Sequence, residues 1–203
     1  MSLEYILNED SKNRALSYIV WNIFKDLDLY EKLDSTTKTG KLFKKEIEKD
    51  ALLPNADALT KSYDLENATK YSKSVLGLKQ NEDIVKEYHR TATKNKNFQW
   101  YSMFDGPKNI EQLSKILSKH ASYEVFYRQL SKDVHATNVH VRKLSSESKG
   151  DVSVIQLRTP QDTGTVIQLV DNFILMSFMK YINVRLPERK DEFKNWYMTF
   201  RKV

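Results

Sequence analysis

The chain has 203 residues, of which 40% are hydrophobic and 30% charged, with a net charge of +6 and a pI near 9.2. That length is enough for one domain to bury a core without staples, and the positive balance favours an anionic partner such as RNA, DNA or an acidic protein. The absence of cysteine excludes disulfides, thiolate metal sites and cysteine nucleophiles, and it fits a reducing compartment.

Five glycines and four prolines are sparse punctuation for a sheet-rich fold, which needs many turns. The expectation is an all-α helical bundle, a single domain over 1–203, with at most a short extended segment near 151–158. No basic region followed by an apolar run and a cleavage site opens the chain, and no apolar stretch reaches about 18 residues. A cytoplasmic protein with no membrane partner is therefore expected.

The opening "LEYILNEDSKNRALSYIVWNIFKDLDLYEKL" keeps Leu3, Ile6, Leu7, Leu16, Ile19, Val20, Ile23, Phe24 and Leu27 at helical spacing, as one long helix or two in line. The helix signal starts almost at Met1 with no capping sequence before it. Either the protein starts abruptly, or "MSL" is a scar on a chain lacking the first helices of a longer protein. "KLFKKEIEKDALL", 41–53, predicts a short charged helix stopped by Pro54, and "PNADALTKSYD" a loop with helix-start character. Helices are predicted over 65–76 and 80–93, separated by "GLKQ" with Gly77 as a cap.

"FQWYSMFDGPKN" reads as a loop because Asp105-Gly106-Pro107 is strong turn chemistry. Residues 108–118 predict a helix with Ile110, Leu113 and Leu117 on one face, and the next helix is expected from Ser122 to Ala136. "VSVIQLRTP" alternates as an extended segment or hairpin arm would. Residues 162–186 form the most apolar helix in the chain, expected to be the central core helix. Pro187 ends it, and "PERKDEFKNWYMTFRK" predicts a final amphipathic helix.

The stretch "YRQLSKDVHATNVH", 127–140, carries the main chemistry. Glu124, Arg128, Ser131, His135, Asn138 and Arg142 recur at steps of 4, 3, 4, 3 and 4, one face of an α-helix. Tyr123, Phe126, Tyr127, Leu130 and Val134 occupy the other side. A guanidinium matches phosphate oxygens bidentately, and a histidine exchanges a proton near neutral pH. Arg128 and His135, two helical turns apart, could thus cleave RNA without a metal, with Arg128 holding phosphate and His135 as general acid or base. A dimer would supply a second histidine for the other end of the reaction. The same residues also suit a purely structural role, in which Glu124 and Arg128 are an ordinary i, i+4 surface pair.

"WYSMFDGP" at 100–107, "IEQLSKIL" at 110–117 and "YEVFYRQLSKDVHATN" at 123–138 resemble domain of unknown function 5677, an all-helical prokaryotic family. "EYILNEDSKNRALSY" at 4–18 resembles its earlier helix more loosely. Separately, the arginine, six residues and histidine from Arg128 to His135 are similar to the signature of the HEPN superfamily. That likeness implies a small helical bundle, a metal-independent and dimeric ribonuclease of toxin or phage-defence systems, an antitoxin or defence-system partner, and Arg128 and His135 as its catalytic pair. Gln129 stands where such nucleases often have Asn, Asp or His.

Other residues offer less. His89 and Arg90 lie in the basic stretch "KEYHRTATKNKN" and could meet phosphate backbone, or solvate a helix end. Trp100 could stack a base, or anchor the Gly106-Pro107 turn. His120 and His140 lack carboxylates at metal-ligand spacing, so neither a metal nor a cofactor is expected. Two functions remain: a HEPN-like ribonuclease or RNA-binding protein with Ser131, Asn138, Tyr127 and Glu124 in support, and a non-enzymatic helical module that binds a protein or nucleic acid.

Overall fold

Of the two readings of the N-terminal run, one helix or two, the structure shows two: the left-handed backbone of Asp10 (φ 44°) separates α1, Ser2–Asn8, from α2, Ser11–Leu33. The structure, a computed structural model, describes residues 1–50, 64–128, 131, 144–148, 151–154 and 163–200. Among the described residues the chain is all-α apart from one hairpin. It gathers into two compact units, one built from Met1–Glu9 with Ile110–Val203 and the other from Asp10–Asn109.

In the second unit, α2 is followed by α3, Lys38–Ile47, α4, Leu65–Leu76, and α5, Glu82–Lys94. Side-chain oxygens start two of them. Thr37 Oγ1 accepts from the Gly40 amide at 2.8 Å, and Asp64 Oδ1 accepts from the Asn67 amide at 3.2 Å. Each satisfies an amide that the first turn of a helix leaves without a partner. α3 thus begins three residues before the expected start, because the Thr37 cap outranks the apolar pattern. It also ends at Ile47, well before the expected stop at Pro54, since the chain turns at Glu48–Lys49. Gly77 does follow α4, yet with φ of −76° its left-handed freedom goes unused.

The core of this unit is Val20, Ile84, Phe98 and Met103, flanked by Leu16, Trp21, Phe24 and Tyr88. Phe24 stacks on Tyr88 with ring centroids 3.9 Å apart, and Trp21 Nε1 donates to the Phe98 carbonyl at 3.1 Å. The expected loop at 98–109 contains short 3-10 turns over Trp100–Asp105, broken at Met103 and Phe104. Phe104 and Asp105 are both left-handed, at φ 55°. That conformation is costly for residues with a Cβ and needs outside support.

Glu87 of α5 supplies the support. It is 8% exposed, and its Oε1 accepts from the Phe104 amide at 2.6 Å and from Thr91 Oγ1 at 3.0 Å. The Arg90 guanidinium grips both carboxylate oxygens, at 2.6 and 2.9 Å, and reaches on to Asp105 at 3.0 Å. Arg90 before all else, with the Phe104 amide and Thr91, holds the Glu87 carboxyl below the usual carboxylate range, against its burial.

In the first unit, α6 spans Ile110–Ile116, and a left-handed Ser118 (φ 55°) turns the chain into α7, His120–Ser122. α7 runs directly into a π-helical turn, Tyr123–Tyr127. The extended segment expected near 151–158 is partly seen as β2, Asp151–Val154, which pairs antiparallel with β1, Leu144–Ser148. The pairing sets Leu144 opposite Val154 and Ser148 opposite Asp151, with an irregularity between Ser145 and Ser148. α8, Thr163–Arg185, and α9, Lys190–Phe200, follow on either side of a 3-10 turn at Pro187–Arg189.

The expectation that 162–186 is a buried central helix is overturned, since no described side chain of α8 is buried. Apolar content in that window measures the surface a helix must cover, not whether this chain covers it. Among the described residues no helix is long and apolar enough to cross a membrane.

Two outcomes test this account. Glu87→Ala lowers stability by about 2–4 kcal/mol in chemical denaturation, because Arg90 and the Phe104 amide lose their partner. Glu87→Gln removes a specific acid sensitivity. A carboxyl depressed in the folded state stabilises above its unfolded value, near 4.5, and that contribution fades as pH falls through the folded value. Denaturation midpoints of the variant should fall less steeply than wild type below about pH 5. In α3, a Cβ at Gly40 would lie 1.9 Å from the Asp34 carbonyl oxygen, so Gly40→Ala should cost on the order of 1–3 kcal/mol in the same assay.

Candidate nucleic-acid site around Arg128

Arg128 ends the π-helical turn, and its amide donates to the carbonyl of Tyr123, five residues back. An α-helix advances about 100° per residue, which would put positions 123 and 128 on different faces; i to i+5 bonding brings them over one another. The Arg128 guanidinium carbon accordingly lies 5.5 Å from the centre of the Tyr123 ring. Tyr123 stacks in turn on the exposed Tyr127 at 5.3 Å.

Carboxylates surround the guanidinium. Glu124 is 3.0 Å away and Glu111 of α6 is 3.6 Å away. Contact with Tyr123, then the charges of Glu124 and Glu111, favour the protonated guanidinium, although its side chain remains 45% exposed. Lys115 and, more weakly, Arg128 and His120 hold Glu111 below the usual carboxylate range. The arrangement is a cation over an aromatic face with two anions that a stronger anion could displace.

His120, set aside in the sequence for want of a carboxylate partner, has one: its Nε2 lies 3.7 Å from Glu124. Four residues separate the two on the turn from α7, a spacing that could have been read from the sequence. Its ring stacks beside Tyr123 at 6.1 Å, while its buried Nδ1 has no hydrogen-bond partner. Among the described residues no group of three His, Cys, Asp or Glu side chains could hold a metal.

Beside this cluster is a cleft of about 300 Å³ between α1, the π-helical turn and α8. Glu4, Lys119, Tyr123, Phe126 and Tyr127 line it, with Phe173 and Met176 of α8. Lys119 is tied to Glu4 at 2.9 Å, and the rings of Phe126 and Phe173 meet edge to face at 6.0 Å. The cleft is aromatic on its walls and charged at its rim.

Of the residues singled out in the sequence, Arg128, Glu124 and Tyr127 come together, and Ser131 continues helical and half-buried just beyond. His135, Asn138, His140 and Arg142 lie outside the described residues. The candidates of the other unit have different surroundings. Trp100 is 5% exposed and set edge-on to Tyr18 at 5.4 Å, which leaves no open face for a base. His89 packs edge-on against Phe24 at 5.2 Å and Tyr88 at 5.6 Å, and Arg90 is engaged with Glu87 and Asp105.

Exposed ion pairs contribute little to stability. Glu124→Gln should therefore leave the melting temperature within about 2 °C of wild type, as read by circular dichroism. A larger drop would mean that Glu124 supports the helix itself.

No curated protein and no solved structure matches the chain. Residues 1–151, from α1 through the Arg128 cluster to β1, match the family of unknown function DUF5677, and the chain belongs to that family.

Proposed function

We propose that the chain is a HEPN-like, metal-independent ribonuclease or RNA-binding protein of prokaryotic toxin or phage-defence type, acting in the cytoplasm as a homodimer. The observation that carries the reading is the π-helical turn ending at Arg128. Such turns recur at functional sites, and this one sets a half-exposed guanidinium over Tyr123 beside an aromatic cleft. A phosphodiester could exchange for Glu124 and Glu111 on Arg128, with a base against Tyr127.

His135 follows Arg128 by seven positions and takes the proton-transfer role. In the reaction, the ribose 2′-oxygen gives its proton to a base and bonds to phosphorus. The bond to the 5′-oxygen breaks, and that oxygen takes up a proton. The products are a 2′,3′-cyclic phosphate and a 5′-hydroxyl, and Arg128 offsets charge that grows on the phosphoryl oxygens. Ser131 and Asn138 would orient these groups, and an antitoxin or defence-system protein would restrain them.

One observation favours the other reading, a non-enzymatic helical module for a protein or nucleic-acid partner. Arg128 is already paired with two carboxylates, as a structural guanidinium would be.

The deciding experiment incubates purified protein with total RNA and tRNA in EDTA, with His135→Ala and Arg128→Ala in parallel. The ribonuclease reading expects cyclic phosphate ends from wild type and at least about 100-fold less cleavage from each folded variant. RNA retained in a mobility shift but left uncut would support binding alone; neither cleavage nor retention would leave the interaction module.

A further inference from the structure

α8 carries a second surface, away from the cleft. Ile167, Val170, Ile174, Phe178 and Tyr181 follow one another at steps of 3, 4, 4 and 3, and all five are between 42% and 55% exposed. These steps make one stripe along an α-helix, the spacing with which two helices interlock side chains. The opposite flank, with Phe173 and Met176, already lines the cleft.

The stripe is symmetric about Ile174. Reversed in direction, its spacing is the same, so Ile167 falls opposite Tyr181, Val170 opposite Phe178, and Ile174 opposite itself, each smaller side chain against a larger ring away from the axis. A two-fold axis requires that self-complementarity of a surface that binds a second copy. The same register sets Asp171 opposite Ser177 and Lys180 opposite Gln168, so neither charge meets its like.

The area is adequate. The five side chains of the stripe are joined by the exposed Trp196 of α9. At about half exposure these six present roughly 500 Å² of apolar surface, about the apolar share of the ~800 Å² per partner in a standard interface. A groove of about 410 Å³ continues the stripe from Phe178 and Tyr181 onto Phe193 and Trp196 of α9.

We propose that α8 is a self-association surface, on which a second copy of this chain packs its own α8 antiparallel about a two-fold axis at Ile174. The assembly rests on the homodimer of the proposed function and names its surface, but on none of its chemistry, and it would persist in a protein that cuts no RNA. It lies beyond residues 1–151, the part that carries the family likeness.

The test uses the full chain. Light scattering after gel filtration at tens of micromolar should give twice the 23.9 kDa of one chain. Ile174→Glu places two carboxylates against each other at the axis and should return the mass to one chain, with helical circular dichroism unchanged. Because the natural sequence has no cysteine, single substitutions report the register. Oxidised with diamide, Ile174→Cys should join two chains, whereas Ile167→Cys should not, since its mates stand about 20 Å apart. Ile167→Cys mixed with Tyr181→Cys should join again. A folded wild-type monomer, a dimer that Ile174→Glu leaves intact, or equal cross-linking through Ile167→Cys and Ile174→Cys would each overturn the proposal. None of these readouts depends on RNA.

Discussion

The Asp10–Asn109 unit depends on one buried carboxylate. Glu87 accepts from a backbone amide whose residue is left-handed, from a threonine one turn along its own helix, and from both arms of an arginine. Each of these donors would be costly to leave unpaired in a buried setting. Together they fix α5 to the chain after Phe98, and the core cluster of Val20, Ile84, Phe98 and Met103 closes over that connection. The apolar contacts supply most of the driving force, as they do in any domain. The carboxylate decides which single path the 100–107 segment takes across them.

How much of this was legible depended on whether local sequence held the decisive information. The helices over 65–76 and at the C-terminus were readable because periodic apolar residues sit between clear caps or stops. The break at Asp10 was not, since nothing near it is glycine or proline. The 100–105 segment reads as a loop from Asp105-Gly106-Pro107, yet its shape is set by Glu87, thirteen or more residues earlier. The π-helical turn was also hidden, because the hydrogen-bond shift that defines it leaves no pattern in residue types. As for the site, the stripe correctly joined Glu124 to Arg128. It missed Glu111, which only tertiary packing brings near, and His120, which its own four-residue step to Glu124 could have revealed.

α8 shows the opposite failure. Its composition, rich in Ile, Val, Phe, Leu and Met, argues for burial, and the argument about free energy is sound. Exposed apolar area of this extent is unfavourable and is ordinarily covered. The expectation took burial for granted, and among the described residues no α8 side chain is fully buried. A sequence states how much surface must be hidden; it does not state by whom.

The π-helical turn has a consequence for how the chain tolerates insertions and deletions. A π-turn is an α-helix with one residue added, so the backbone after it is rotated by roughly 100° against the α-helical phase. Deleting any one residue from Glu124–Tyr127 would keep the arginine-to-histidine count at seven and leave Tyr123 and the arginine four apart, neighbours on one face of a plain α-helix. Spacing along the chain and placement on a face are therefore separable here. Among homologous chains, one-residue gaps in this stretch would mark members in which a regular α-helix, with no π-helical turn, sets the guanidinium beside the aromatic ring.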